Sequence, residues 1–239
     1  MTATSGRDEE VAFGVRTRSR WTACAAVAAV ALAVLGLTPA ATAATLEAAV
    51  KDERGQPVAD AVVSLTPVGA PPPAGRPAPA VMDQVNREFV PYVLPVQVGT
   101  AVSFPNRDNI RRHVYSFSPA KKFELPLYIG TPAAPVVFDK PGVVALGCNI
   151  HDWMVGYIYV LPTPWFARTG PDGRARLGDV PAGSYEVRVW HPQMRGDTEK
   201  TARPVSLGAE PARVEYTLSL RPVQRLPRGP GRYEGTQGS

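Results

Sequence analysis

The chain has 239 residues, a formal net charge of +5, 44% hydrophobic residues, 26 prolines and 21 glycines. This composition fits one or two small domains with many turns, and it excludes a coiled coil or a wholly disordered chain. The excess of positive charge is small and no dense block of lysine and arginine occurs, so no nucleic-acid binding is expected.

The first 43 residues have the pattern of a secretory signal peptide. Arg16, Arg18 and Arg20 precede an apolar run over residues 21–37, and small residues then offer a cleavage site after Ala43. The run is shorter than the roughly 20 residues of a comfortable membrane span, which favours cleavage over an uncleaved anchor. We therefore expect a Sec-type signal, a periplasmic or secreted protein, and no stable membrane insertion after cleavage.

Signal cleavage would leave one cysteine in the mature chain. Cys24 lies within the signal peptide, and Cys148 is the other cysteine of the sequence. An exported chain with one cysteine cannot close an internal disulfide. The thiol of Cys148 is then paired with another chain, inert and buried, reactive, or a metal ligand.

The mature chain begins with short strand patterns. Two strands are expected within 44–69, near 46–50 and 59–65, followed by a Pro-rich linker over 70–80. From 81 to 160 short β-rich runs are separated by glycine, proline and asparagine, and no long helical periodicity interrupts them. This spacing is typical of a β-sandwich or barrel.

The pattern changes after Pro162. Strands are expected near 175–177, 185–190 and 213–220, with Gly/Pro turns between the first two. The tail over 221–239 is basic and rich in glycine and proline, and we expect it to be disordered. The folded part of the mature chain, over 44–220, is thus predicted to be all-β.

The segment "GCNIHDWMVG" places Cys148, His151 and Met154 at steps of three residues. A short loop between two strands could gather a thiolate, an imidazole and a thioether around one point. Calcium and magnesium prefer oxygen ligands, and structural zinc prefers more cysteine and histidine. Copper fits this donor set best, as a trigonal Cys and two His with a long axial Met.

A trigonal copper site needs a second histidine, and the chain holds three in all. His113 begins an apparent strand 35 residues before Cys148, where a sandwich would bring it beside the ligand loop. His191 is the competitor, but it ends a strand in what looks like a different domain. Asp152 beside His151 could suggest a hydrolase, yet no serine lies in a recognisable nucleophile turn, so no enzyme activity is predicted.

Residues 80–161 resemble the cupredoxins, the small blue-copper proteins that include plastocyanin, pseudoazurin and amicyanin. The resemblance is carried by "FVPYVLPVQVGTAVSFPNRD", an isolated His113, "FDKPGVVALGC" and the C-x2-H-x2-M loop, in the family's order. It implies that one copper ion is bound by four side chains, which are His113, Cys148, His151 and Met154. It also implies a Greek-key β-sandwich that carries single electrons, with His151 as the exit for electrons.

The flanking segments resemble another family, the carboxypeptidase-regulatory-like or transthyretin-like β-sandwich. "GQPVADAVVSL" and "TGPDGRARLGDVPAGSYEVRVWHP" are similar to its two halves, and neither half alone supplies enough strands to bury a core. We therefore predict a cupredoxin domain over 81–161, inserted into a second sandwich built from 44–69 and 162–220. The rival topology has the N-terminal strands completing the short cupredoxin.

The predicted function is that of an exported type 1 copper protein that passes single electrons to a redox partner protein. One alternative is a periplasmic copper carrier or store. Another is a carbohydrate- or partner-binding sandwich in which copper is structural. Arg111, Arg112, Lys121 and Lys122 would steer an acidic partner to the site or form an ordinary solvated surface, which is the usual role of such residues.

Overall fold

The computed structural model describes residues 43–73, 77–132, 134–149 and 153–222. Within these ranges every regular element is a strand except for one 3-10 turn at Thr198–Thr201, which confirms the prediction of an all-β fold. Apart from Ala43, the predicted signal peptide lies outside the described residues, and so does the tail beyond 222. In the part of the chain that is described, no helix is long and apolar enough to cross a bilayer.

The strands are numbered in chain order. They are β1 (Ala43–Asp52), β2 (Val62–Pro67), β3 (Ala80–Val81), β4 (Asp83–Val85), β5 (Glu88–Val90), β6 (Val93–Gln97), β7 (Thr100–Ser103), β8 (Arg112–Ser118), β9 (Lys121–Tyr128), β10 (Val136–Phe138), β11 (Gly142–Leu146), β12 (Gly156–Leu161), β13 (Phe166–Arg168), β14 (Arg174–Pro181), β15 (Gly183–Trp190), β16 (Arg203–Leu207) and β17 (Ala212–Leu218).

The two N-terminal strands pair with strands from the C-terminal part of the chain. β1 lies between β14, to which it is antiparallel, and β17, to which it is parallel. β2 lies between β13 and β15, and β16 completes that sheet. Among the described residues no ladder joins β1 or β2 to a strand between 80 and 161. These ladders join the two flanks of the chain, and the exact domain boundaries stay a prediction.

The sheet that contains β1 buries one face, whereas Val62 to Leu65 of β2 are buried at consecutive positions. Leu46, Ala48 and Val50 are buried at alternate positions of β1, as expected for a strand with one face toward a core. With the buried side chains of β2, β14, β15 and β17 they form one cluster, the flanking core.

The strands between 80 and 161 form four small sheets, ordered β11-β12-β6, β10-β7-β3, β8-β9 and β4-β5. They enclose a second cluster of buried side chains, the inserted core. Its members are Met82, Phe89, Val96, Val102, Phe104, Val114, Phe138, Val144, Leu146, Cys148, Met154, Ile158 and Val160.

The β11-β12-β6 sheet contacts both cores. Along β12, Ile158 belongs to the inserted core, whereas its neighbours Tyr157 and Tyr159 pack against the flanking core. The ring of Trp190 at the end of β15 lies 4.8 Å from that of Tyr159 and 6.1 Å from that of Tyr157, centroid to centroid. The two strands that border the predicted ligand loop are therefore packed on both faces.

Candidate metal centre

His113 lies in β8 at an irregularity of the β8–β9 ladder. The register shifts between Arg112 and Val114, that is, across His113. All three residues are buried, where a strand with one buried face would alternate. Bulges of this kind re-aim side chains next to functional sites. The imidazole of His113 is turned inward and the residue is only 5% exposed.

The two ring nitrogens of His113 have different surroundings. Nε2 lies 2.8 Å from Oε1 of Glu124 on β9. An ionised carboxylate can only accept a hydrogen bond, which favours the tautomer with the proton on Nε2. Nδ1 is buried and has no hydrogen-bond partner in the described part of the chain. A buried polar atom without a partner needs an explanation. An imidazole nitrogen with a free lone pair is suited to bind a metal.

Cys148 directly follows β11 and is a free thiol, 3% exposed. The preceding residue, Gly147, exchanges two backbone hydrogen bonds with Tyr115, at 3.1 and 3.0 Å. Because Tyr115 stands two residues after His113 on β8, this bridge holds the end of β11 against the strand that carries the histidine.

A half-buried phenol, that of Tyr128, stands within electrostatic range of Cys148. Burial raises the pKa of Tyr128 to about 12; a hydrogen bond with Gln84 opposes this, and negative charge on Cys148 adds to it. The Tyr128 hydroxyl donates to the Phe104 carbonyl oxygen at 2.7 Å and accepts from Nε2 of Gln84. The surroundings of the thiol are thus apolar and hydrogen-bonded, and Phe104 belongs to the same core.

Met154 stands two residues before β12, is 2% exposed, and belongs to the same core as Cys148. β11 and β12 pair antiparallel, with Leu146 opposite Gly156, so the segment from Cys148 to Met154 joins two neighbouring strands. His151 is among residues 150–152, outside the described residues, and its role as a ligand stays a prediction.

His191 follows β15, next to Trp190 of the flanking core. It is buried, and Nδ1 accepts a hydrogen bond from the backbone N–H of Gln193 at 3.2 Å. Burial lowers the pKa of His191, although Asp60 opposes this. Its ring nitrogen is thus engaged locally, in contrast to Nδ1 of His113.

Asp108 fixes the loop that leads into β8. Its carboxylate accepts hydrogen bonds from the backbone N–H groups of Asn86 at 2.7 Å and Arg87 at 3.1 Å, and from the guanidinium of Arg112 at 2.6 Å. Burial by itself would raise the pKa of Asp108, but these hydrogen bonds together lower it. The β4–β5 turn and the start of β8 are thereby held together, one residue before His113.

A pocket of about 350 Å³ lies beside this loop, with Trp153 of the ligand loop in its wall. Its other lining residues are Asn86, Arg87, Glu88, Asp108, Asn109, Ile110 and Arg112. The lining carries charges of both signs, and the Arg112 charge is already paired with Asp108.

The four basic residues near His113 do not form a uniform surface. Arg112 has a side chain only 1% exposed, and it pairs with Asp108. Lys121 pairs with Asp139 at 3.0 Å. Arg111 and Lys122 are exposed. Two of the four charges are therefore neutralised within the chain, and steering of an acidic partner stays a prediction.

The described donors fit a copper ion by their chemistry. Nδ1 of His113 is buried and unpartnered, Cys148 is a buried free thiol, and the Met154 thioether is buried in the same core as the thiol. This is a soft to borderline donor set, which suits copper better than hard cations. Within the described ranges no group of three His, Cys, Asp or Glu side chains is close enough to hold a metal. Met154 is a donor of another type, and His151 lies outside these ranges.

No protein-family model matches the chain, and no curated protein matches it. Solved structures are similar over part of its length. A purple cupredoxin from Nitrosopumilus maritimus is 26% identical and covers 35% of this chain and 99% of its own, with a TM-score of 0.31. A copper-containing nitrite reductase from Thermus scotoductus SA-01 is 29% identical and covers 48% of this chain and 28% of its own, with a TM-score of 0.34.

An oxidised amicyanin variant is 19% identical and covers 43% of this chain and 99% of its own, with a TM-score of 0.32. Each of these likenesses covers less than half of the chain. The function proposed below therefore rests on the residues of the chain itself.

Sequence reasoning did not find Glu124. Its strand, β9, has the sequence "KKFELPLY", in which Pro126 interrupts an otherwise alternating run. A proline within a run argues against a strand. The alternation of Phe123 and Leu125 with polar residues was the available signal, but the contact with His113 depends on the β8–β9 register.

Proposed function

We propose that the chain is an exported type 1 copper protein that carries single electrons and has no substrate of its own. The observation that supports this most directly is the state of His113. One of its nitrogens is bound to Glu124, and the other is buried and unpartnered in the described part of the chain.

Four side chains would hold the ion: His113 through Nδ1, Cys148, His151 and Met154. Copper supplies a one-electron change between Cu(I) and Cu(II), and these states prefer different ligand geometries. A stiff β scaffold limits rearrangement of the ligands at each transfer. Packing of β12 on both faces and the tie between Gly147 and Tyr115 support such stiffness.

The inserted core around the thiol is apolar. Phe104, Val144 and Leu146 are buried in the same cluster as Cys148. An apolar shell limits the access of water and thereby tunes the reduction potential of a metal. These residues would therefore set the potential without contributing donor atoms.

We also propose that the protein is exported and that it exchanges electrons with a partner protein. The signal-peptide pattern over 1–43 supports a periplasmic or secreted location. The partner would be a redox protein. The alternative of a copper carrier uses the same donors, because thiolate and thioether ligands also suit Cu(I).

The test is a titration of the processed chain with Cu(II), followed by visible absorption and EPR spectroscopy. We expect an intense blue colour that a reductant bleaches reversibly, with one copper per chain. Cys148→Ser should abolish the colour, and His113→Ala should abolish or strongly alter it. His191→Gln is the matched control and should leave it unchanged.

A colourless complex that binds only Cu(I), at high affinity, would favour the carrier instead. A blue colour that survives Cys148→Ser would show that the ligand assignment is wrong.

A further inference from the structure

A surface carboxylate is hydrogen-bonded directly to the buried histidine of the candidate site. The His113 side chain is 7% exposed and that of Glu124 is 68% exposed, and Nε2 and Oε1 are 2.8 Å apart. Glu124 stands opposite Tyr115 in the β8–β9 ladder, next to the register irregularity across His113. Within the described ranges, Glu124 forms no ion pair other than this contact with His113.

We infer that Glu124 is a positioning residue of the metal site, which sets the tautomer of His113 and lowers the reduction potential of the bound ion. The inference rests on the proposed copper-binding function. It concerns this chain's own residues, since Glu124 would contribute no donor atom to the metal.

The tautomer follows from hydrogen-bond chemistry. A neutral imidazole carries one N–H, and its other nitrogen has a lone pair. Because an ionised carboxylate can only accept, Glu124 favours the form with the proton on Nε2. That form leaves the lone pair on Nδ1, the buried atom without a partner in the described part of the chain.

The effect on the potential follows from charge. A carboxylate that accepts the N–H of a ligating histidine makes the imidazole a better donor, and loss of such a partner typically costs about 10–100-fold in metal affinity. A better donor and a nearby negative charge both stabilise the ion of higher charge. The oxidised state is favoured, so the midpoint potential falls.

An ordinary surface ion pair would have a different signature. Exposed pairs contribute little to stability and are screened by salt. If Glu124 formed only an ordinary surface ion pair, its removal would change neither the tautomer of His113 nor the affinity for metal.

Two variants separate the hydrogen bond from the charge. Glu124→Gln keeps an oxygen that accepts from Nε2 but removes the charge, and Glu124→Leu removes both. Glu210→Gln removes the same charge from an exposed residue outside the inserted strands and is the control. Thermal melting of all three checks that they fold.

The first readout uses the metal-free protein. In nitrogen-15 correlation spectra we expect the Nε2–H form of His113 in the wild type, Glu124→Gln and Glu210→Gln, and a mixture of tautomers in Glu124→Leu. The second readout is Zn(II) affinity by competition with a coloured chelator, where Glu124→Leu should bind about 10-fold more weakly than wild type. The third is the midpoint potential of the copper form, which should rise in both Glu124 variants and not in Glu210→Gln.

A Glu124→Leu protein that keeps a single Nε2–H tautomer and wild-type Zn(II) affinity would overturn the inference. Potentials that rise equally in Glu210→Gln would overturn its electrostatic part. A wild type that forms no blue Cu(II) complex would contradict the proposed function instead, while the tautomer spectra of the metal-free protein would still decide the role of Glu124.

Discussion

The ring of Tyr115 lies directly over the α-carbon of Gly147. A β-carbon at Gly147 would lie 2.7 Å from Cζ and 2.8 Å from Oη of Tyr115, closer than real β-carbons approach other atoms. The same two residues exchange backbone hydrogen bonds. The strand that carries His113 and the residue before Cys148 are therefore joined by backbone hydrogen bonds and by a close contact of the Tyr115 ring.

Gly147→Ala should destabilise the protein by about 1–3 kcal/mol, the usual cost of overpacking. The Tyr115 ring must move away, and it would then lose its position beside the His113 ring, 5.5 Å away between centroids. Urea unfolding measures the loss. Gly178→Ala is the control, because a β-carbon there meets nothing within 4 Å. Full stability in Gly147→Ala would contradict the contact, and Tyr115→Ala in the same chain should relieve the clash.

Asp108→Asn should cost about 1–3 kcal/mol, because the amide cannot replace all the charged hydrogen bonds to Asn86, Arg87 and Arg112. The folded-state pKa of Asp108 lies below the ordinary value of 3.8. Its contribution is therefore present above that value and is lost as the pH falls through the lower folded pKa. The free energy of unfolding, measured from about pH 6 to pH 2, should fall less steeply in the variant.

Asp197→Asn is a suitable comparison for this experiment. Asp197 precedes the 3-10 turn without a side-chain capping hydrogen bond, so we expect little change in stability or in its pH dependence. If the free energy of unfolding of Asp108→Asn fell with decreasing pH as steeply as that of the wild type, the Asp108 carboxylate would not be hydrogen-bonded as described.

Tyr128→Phe should also cost about 1–3 kcal/mol, since the Gln84 amide and the Phe104 carbonyl would each lose a buried partner. Burial raises the pKa of Tyr128 from 10.0 to about 12. The stability that this difference represents is present below pH 10 and is lost as the pH rises toward 12. Between these pH values the free energy of unfolding should fall less in Tyr128→Phe than in the wild type. If the free energy of unfolding depended on pH equally in the two proteins, the Tyr128 phenol would not be shielded from solvent as described.

Trp190→Ala should destabilise the protein by about 3–5 kcal/mol. Trp190 is 8% exposed, and its ring contacts Tyr157 and Tyr159 on the sheet that both cores share. Phe117→Ala removes a ring that is 76% exposed, and it should change stability by no more than about 0.5 kcal/mol. Calorimetry compares the two. A small loss of stability in Trp190→Ala would show that the packing of Trp190 on the β11-β12-β6 sheet contributes little to the fold.

Much of the fold was predictable from local pattern. In β1 the apolar residues Leu46, Ala48 and Val50 stand at alternate positions, which is typical of a strand with one buried face. Gly/Pro turns mark where the short strands end. The C-x2-H-x2-M segment could be predicted as a loop between two strands because apolar runs border it on both sides. β9 and β16 were not predicted, since prolines interrupt both runs.

The sequence by itself determined the all-β class and the kinds of donor atom near Cys148, because strand periodicity and ligand chemistry depend on neighbouring residues alone. Only the tertiary structure decided that His113 sits at a bulge, that its Nε2 contacts Glu124, and that Tyr115 covers Gly147. These relationships depend on register, that of β8 with the adjacent strand β9 and that of β8 with the end of β11. Register is set by the packing of whole cores, to which every strand contributes.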